Sequence, residues 1–132
     1  MDAESLVELF APLGPVRVKR MFGGKGIYLD GLIIAVELSD GTLYLKGDGA
    51  SAPAYEAAGG RRWVHEGETK AGKPRAVAMP YWTMPDVAFD DEEALRRFGG
   101  LARDASRRAG PAKAKRVDKR EKSSMISEAK TS

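Results

Sequence analysis

Four residues near the start of the chain, Gly23-Gly24-Lys25-Gly26, are the first place where the sequence could bind a phosphate. A P-loop needs glycine, four residues and then Gly-Lys-Ser/Thr, so that successive backbone amides surround the phosphate and a hydroxyl binds magnesium. Here Ile27 follows Gly26, and the run that comes next has the character of a strand, so no helix N-terminus is directed at an anion. The pattern therefore favours a sharp, glycine-lined turn or bulge between strands over a phosphate site.

The single histidine and the acidic run lack the partners that catalysis or metal binding requires. His65 would need a carboxylate and a nucleophile to act as a base, and no such set is visible. The run Asp90-Asp91-Glu92-Glu93 has no EF-hand spacing, and Asp90 as N-cap of a helix with Glu93 three residues later explains it better. The absence of cysteine excludes disulfides, thiolate metal sites and cysteine nucleophiles. We therefore predict no catalytic residue, no cofactor and no metal site.

A third group mixes aromatic and cationic side chains. Such a mixture can stack on exposed nucleic-acid bases. It also describes the packed end of a sheet, where arginine stems cover aromatic rings, and this structural interpretation is the one we favour. The members of the group are Trp63, Tyr81, Trp82, Arg61, Arg62 and Arg75.

The elements that position these residues begin with a helix over residues 2–11 and continue as sheet. Four runs with strand character lie between residues 16 and 46, and the pairs Asp30-Gly31 and Asp40-Gly41 separate the last three of them. Asp-Gly between two such runs is a strong hairpin signal, because both positions of the favoured turn need positive φ. Two-residue hairpins make neighbouring strands antiparallel, so the sequence predicts a four-stranded antiparallel meander.

The rest of the chain adds four predicted elements, two helices and two strands, before the hydrophobicity falls. We expect residues 80–85 to be irregular, and Gly99-Gly100 to mark a kink or a close approach within the last helix. The predicted class is α+β, a two-layer domain with the order α-β-β-β-β-α-β-β-α, an antiparallel sheet and helices packed on one face. The remaining predicted elements are a helix over 51–58, strands over 61–65 and 75–79, and a helix that opens at Asp90.

The net positive charge of the chain comes from its C-terminal segment. Residues 111–132 contain seven basic and three acidic side chains, whereas residues 1–110 contain 15 basic and 16 acidic ones. The low hydrophobicity of this segment predicts a disordered tail beside a folded domain over residues 1–110. Cations on such a tail are candidate contacts for a polyanion: Lys113, Lys115, Arg116, Lys119, Arg120 and Lys122.

The beginning of the chain does not have the features of a targeting segment. Its first five residues are Met-Asp-Ala-Glu-Ser, acidic where a secretory signal would be basic. The longest apolar run, residues 32–36, is far shorter than the roughly 20 residues that span a bilayer. We expect a cytoplasmic protein with no membrane association.

Three separated motifs resemble the N-terminal domain of TfoX (Sxy) proteins, which regulate competence-specific genes. They run from Arg20 to Tyr28, over residues 43–48, and from Met79 to Pro85. The resemblance implies a two-layer α/β fold with an antiparallel sheet and a bacterial, cytoplasmic protein, and it implies no catalytic residue. As a structural motif it rests on Arg20, Met21, Phe22, Gly23, Gly24, Gly26, Tyr28, Leu45, Lys46, Tyr81, Trp82 and Pro85.

Three functions are open at this point. The favoured one is a non-enzymatic regulatory or adaptor module, monomeric or homodimeric, that acts through contacts with protein partners. The first alternative is weak, non-specific nucleic-acid binding through the basic tail. The second is an enzyme with an anion site near Arg20, Lys25 and Lys46. A deep pocket that gathers these three cations would favour the enzyme, and a flat exposed apolar patch would favour the module.

Overall fold

The computed structural model describes residues 1–21 and 23–110, so Phe22 and the predicted basic tail lie outside the described residues. The helices are α1 (Ala3–Phe10), α2 (Ala52–Ala57), α3 (Val87–Asp90) and α4 (Glu92–Ala109). The strands are β1 (Val16–Met21), β2 (Gly24–Leu29), β3 (Leu32–Leu38), β4 (Leu43–Lys46), β5 (Arg62–Glu68) and β6 (Pro74–Thr83). They form one antiparallel sheet in the order β1-β2-β3-β4-β6-β5, and the predicted α+β class is confirmed.

The predicted meander is present as strands β1 to β4, each antiparallel to the next. At the turn between β2 and β3, Asp30 and Gly31 both have positive φ, 53° and 81°, as the Asp-Gly signal requires. At the second pair only Gly41 has positive φ, and the Asp40 carboxylate accepts a hydrogen bond from the amide of Thr42. The two Asp-Gly pairs therefore make turns of different kinds while producing the same antiparallel pairing.

One hydrophobic cluster joins the helices to one side of the sheet, as predicted. All four described helices contribute to it: Leu6, Phe10, Tyr55, Ala88, Leu95, Phe98 and Ala102. The strands contribute Val16, Ile27, Leu29, Ile34, Ala35, Leu43, Leu45 and Trp82. We call this covered side of the sheet the helix face and the opposite side the open face.

Strand β6 is longer than the sequence predicted. Residues 80–83, expected to be irregular, continue the strand and pair with β4, where Trp82 is opposite Leu45 and Tyr81 is opposite Lys46. Pro80 hid this continuity, since a proline has no amide to give to a ladder. Its carbonyl instead accepts a hydrogen bond from Gly47, and the pairing of β5 with β6 shifts register near this point.

The last helix begins one residue later than predicted. The short helix α3, which the predicted element order lacks, ends at Asp90, and Asp91 is the N-cap of α4. The Asp91 carboxylate accepts hydrogen bonds from the amides of Glu93 and Ala94, at 2.9 and 3.3 Å. The capping interpretation of the acidic run is therefore confirmed, but the assignment of the cap to Asp90 is wrong.

The Gly99-Gly100 pair lies inside α4 and does not end the helix, and Gly99 permits a close approach. A Cβ built on Gly99 would lie 2.8 Å from Cδ2 of Leu13, which follows α1. A larger side chain at this position would require the Leu13 side chain to move. Of the two predicted reasons for the pair, the close approach is the one present at Gly99.

The Gly23-Gly24 turn gives a direct stability prediction. Gly23 has a φ of 86°, and a Cβ on Gly24 would collide with the backbone carbonyl of Glu37 in the neighbouring strand. We expect Gly23→Ala to lower the free energy of unfolding by about 1 to 2 kcal/mol through strain. Gly24→Ala should cost more, because two paired strands would have to move apart.

Urea unfolding of both variants measures these losses, and Gly49→Ala is the matched control. Gly49 has no atom within 4 Å of its would-be Cβ and no positive φ, so its variant should unfold like the unmodified protein. A Gly24→Ala protein as stable as the Gly49→Ala protein would show that the close approach of β2 to β3 is not real.

An ion pair fastens the C-terminal turn of α4 to the loop that precedes α2. The Arg108 guanidinium donates two hydrogen bonds to the Asp48 carboxylate, at 2.7 and 3.0 Å. The same carboxylate accepts hydrogen bonds from the amides of Ala50 and Ser51. The Arg108 contact is the main reason that the pKa of Asp48 is lowered from 3.8 to about 2.

This shift makes part of the stability acid-dependent. Because the pKa of Asp48 is lower in the folded state, its contribution is complete above pH 3.8 and is lost as the pH falls towards 2. We expect Asp48→Asn to lower the free energy of unfolding at pH 7 by about 1 kcal/mol, a small value because both partners are partly exposed. The variant should also lose less stability than the unmodified protein between pH 4 and pH 2.

Urea unfolding at a series of pH values tests this expectation, with Asp86→Asn as the control. Asp86 is an exposed aspartate with no side-chain hydrogen bond to the helix that follows it. If the Asp48→Asn and unmodified proteins lose stability in parallel below pH 4, the Arg108 contact does not stabilise the ionised carboxylate.

Candidate functional site

The open face of the sheet carries an aromatic cluster centred on Trp63. The ring centroid of Trp63 lies 5.5 Å from that of Tyr44, 6.2 Å from that of Tyr81 and 6.2 Å from that of His65. These separations fall within the range of favourable ring pairs. The aromatic cluster, Tyr44, Trp63, His65 and Tyr81, thus connects three adjacent strands, β4, β6 and β5.

Two lysines extend this aromatic cluster into a wider cationic surface. The Lys46 Nζ atom lies 5.2 Å from the centroid of the Tyr81 ring, and the Lys19 Nζ atom lies 5.0 Å from that of Tyr28. Both distances are within the range of cation–π attraction. Burial raises the pKa of Tyr81 to about 12, and the neighbouring Tyr28 adds to the rise. We call the aromatic cluster together with Lys19, Tyr28 and Lys46 the open-face surface.

Strand alternation explains why these side chains share one face. Leu45 and Trp82 are paired across β4 and β6, and both are buried in the core on the helix face. Successive side chains of a strand point to opposite faces, so Tyr44, Lys46 and Tyr81 lie on the other side. The same two strands therefore build the core with one set of residues and the open-face surface with the next.

Charge is distributed unequally between the two faces. The register places all the carboxylates of the described strands on the helix face: Glu37, Glu66 and Glu68. On the open face the same register places four basic residues: Arg17, Lys19, Lys46 and Arg75. Among the described strands, the open face therefore combines aromatic rings with positive charge and has no carboxylate.

The aromatic and arginine group noted in the sequence is divided between the two faces. Trp82 is 2% exposed, its indole N–H donates to the Glu56 carboxylate at 2.8 Å, and the Arg62 guanidinium lies 4.7 Å from its ring centroid. The structural interpretation is correct for this pair. Trp63 and Tyr81 instead belong to the open-face surface.

The motif residues occupy three regions of the sheet, and Phe22 lies outside the described residues. Arg20 and Met21 end β1, Gly23 is in the turn, and Pro85 follows β6. The remaining ones lie within strands: Gly24, Gly26 and Tyr28 in β2, Leu45 and Lys46 in β4, Tyr81 and Trp82 in β6. Leu45 and Trp82 serve the core, whereas Tyr28, Lys46 and Tyr81 form part of the open-face surface.

The three cations of the suggested anion site are not gathered in one place. Arg20 and Lys25 are paired across β1 and β2 and line a shallow cleft of about 480 Å³ that does not include Lys46. Lys25 lies 3.4 Å from the Glu37 carboxylate, which is 3% exposed and also pairs with the Met1 ammonium at 2.8 Å. Lys46 lies on the opposite face, beside Tyr81. The cleft is therefore partly neutralised by a carboxylate and lacks the third cation.

Sequence reasoning missed the involvement of Tyr44, Lys19 and His65. The missed signal is the alternation Leu43-Tyr44-Leu45-Lys46, in which the tyrosine must share a face with the lysine once the leucines are buried. His65 contacts the edge of Trp63 with an interplanar angle of 84°, which makes it part of the aromatic cluster.

Neither a metal centre nor a membrane span is found in the part of the chain that the structure describes. In residues 1–21 and 23–110, no three His, Asp or Glu side chains are close enough together to hold a metal ion. None of the described helices combines the length and the apolar character of a membrane-spanning segment.

The fold and the site define an α+β domain whose sheet is covered by helices on one side and carries an aromatic, cationic surface on the other. A family model described as the TfoX N-terminal domain matches residues 8–106, a range that includes every strand of the sheet. The chain therefore belongs to the TfoX N-terminal domain family, as its motifs suggested. No curated protein matches it.

The two tryptophans provide a test of the face assignment. Trp63→Phe leaves only the buried Trp82, and Trp82→Phe leaves only the partly exposed Trp63. We expect acrylamide to quench the emission of Trp63 much more strongly than that of Trp82. Stern–Volmer titrations of the two folded variants give this comparison, and equal quenching constants would contradict the assignment of Trp63 to the open face.

Proposed function

We propose that the chain is a regulatory module that acts by binding a macromolecule and performs no catalysis of its own. Membership in the TfoX N-terminal domain family supports a regulatory role. Because the family takes its name from regulators of competence-specific genes, we further propose that the regulated process is gene expression in a bacterial cytoplasm. The partner is a protein or a nucleic acid.

The observation that carries this proposal is the open-face surface. Its central residue, Trp63, is partly exposed and contacts three other rings, and no described helix packs over it. Tyrosine and tryptophan are enriched where proteins bind macromolecules, because their rigid rings bury much area at little cost in side-chain entropy. A surface of this kind is more suited to recognition than to chemistry.

The enzyme alternative has less support from the geometry. The Glu37 carboxylate is paired with Lys25, and Lys46 is on the other side of the sheet, so the three suggested cations cannot act together on one anion. The tail alternative concerns residues outside those that the structure describes, and it stays a prediction from the sequence.

Site-specific photocrosslinking in native cells tests the proposal. A photoreactive phenylalanine analogue at Tyr44 would report contacts of the open-face surface, and the same analogue at Phe89 is the control. Phe89 is 42% exposed but belongs to α3, on the helix-covered side. We expect a discrete crosslinked product from position 44 that is absent from position 89. This expectation holds for a nucleic-acid partner, which nuclease would digest, and for a protein partner, which protease would digest.

The absence of any product at position 44, or identical products at both positions, would contradict binding through this surface. Both variants must first show the cooperative unfolding of the unmodified protein, so that a negative result is not caused by misfolding.

A further inference from the structure

We infer that the open-face surface binds single-stranded nucleic acid, with bases stacked on the aromatic cluster and phosphates beside the lysines. This inference rests on the proposed function and names the class of its partner. It concerns the folded domain and is independent of the basic tail.

The rings supply the first part of the argument. Tyr44, Trp63 and Tyr81 come from three neighbouring strands, and Trp63 and Tyr44 are both partly exposed. The ring centroids of Trp63 and Tyr44 are 5.5 Å apart and their planes differ by 30°, so the two rings are in contact and together form an aromatic platform. Any base can stack on such a platform, because every base has a π-face.

The charges supply the second part. On this face the sheet carries Lys19 at one edge, Lys46 in its middle and Arg75 on β6, and none of the described strands contributes a carboxylate to it. The folded domain as a whole is close to neutral, with 15 basic and 16 acidic residues in positions 1–110. A positive face on a nearly neutral domain is complementary to a polyanion and not to a protein surface of mixed charge.

Rings and charges together select a single strand. In a duplex the bases are already stacked on one another and only phosphates and groove edges are accessible, so the aromatic cluster would have no partner. A single strand offers both its phosphates and its unstacked bases, the two features that this face is equipped to bind.

Fluorescence anisotropy with the full-length chain tests the inference. The probes are a labelled oligo(dT) and a labelled duplex that carries the same number of phosphates. We expect tighter binding of oligo(dT), and we expect Trp63→Leu to weaken it by roughly 5- to 150-fold, the loss that follows from one unstacked base. Duplex affinity should not change in this variant, because a duplex offers no unstacked base to Trp63.

Adjacent residues of β1 provide a matched control for charge. Lys19 lies on the open face and Arg20 on the helix face, and both are exposed. Lys19→Gln should weaken oligo(dT) binding and reduce the slope of log affinity against log salt by about 0.7, the value for one phosphate contact on a single strand. Arg20→Gln removes the same charge from the other face and should leave both quantities nearly unchanged.

Three results would overturn the inference. They are equal affinity for oligo(dT) and duplex, unchanged oligo(dT) affinity in folded Trp63→Leu, and equal losses in Lys19→Gln and Arg20→Gln. If any of these is found while position 44 still crosslinks to a protein in cells, the proposed function stands and only the nucleic-acid partner is wrong. If position 44 gives no crosslink of any kind, the proposed function itself fails.

Discussion

The pairing of β4 with β6 is the constraint on which both faces of this domain depend. Leu45 and Trp82 are directly opposite each other in these strands. Trp82 also connects the sheet to the helices, because its ring centroid lies 6.0 Å from that of Tyr55 in α2. The Tyr55 centroid lies in turn 6.2 Å from that of Phe98 in α4. A slip of one residue would expose Trp82 and bury the charge of Lys46. Burial of Leu45 and Trp82 in the core therefore places Lys46 and its neighbours on the open face.

In addition to packing, two hydrogen bonds stabilise the register of β4 against β6. The Tyr55 hydroxyl donates to the carbonyl of Lys46 at 2.7 Å, and the Trp82 indole donates to Glu56 at 2.8 Å. The first bond connects α2 to β4 and the second connects β6 to α2, so one helix holds both strands. A buried polar group without such a partner would cost about 1 to 3 kcal/mol, so both bonds oppose a slip in register.

The sequence predicts most of the fold, because local signals determine it. The Asp-Gly pairs predict the hairpins, the alternation of apolar residues predicts the strands of the meander, and the acidic run predicts the start of the last helix. Pro80 is misleading because a proline normally ends pairing, and here it lies where the register between β5 and β6 shifts. Asp90 and Asp91 are both suitable caps by type, and only the geometry of the chain after α3 decides between them.

The site is less predictable than the fold, because it depends on which face each residue occupies. Trp63 and Trp82 look alike in the sequence, yet a register shift between β5 and β6 sets their relative placement, and no local signal reveals it. For the same reason the sequence grouped cations that the structure separates in the suggested anion site. Lys25 and Lys46 are both strand lysines, but Glu37, 12 residues from Lys25, engages the first, while the second lies against Tyr81 on the other face.

The indole N–H resonances of the two tryptophans test the central claim most directly. Trp63 lies on the open face, and Trp82 lies in the core with its N–H bonded to Glu56. In a ¹H–¹⁵N spectrum of the full-length chain titrated with oligo(dT), the account predicts that the Trp63 indole signal shifts progressively to saturation while the Trp82 signal stays in place. Saturable binding that leaves the Trp63 signal unmoved would show that the ligand is bound elsewhere and would contradict the account.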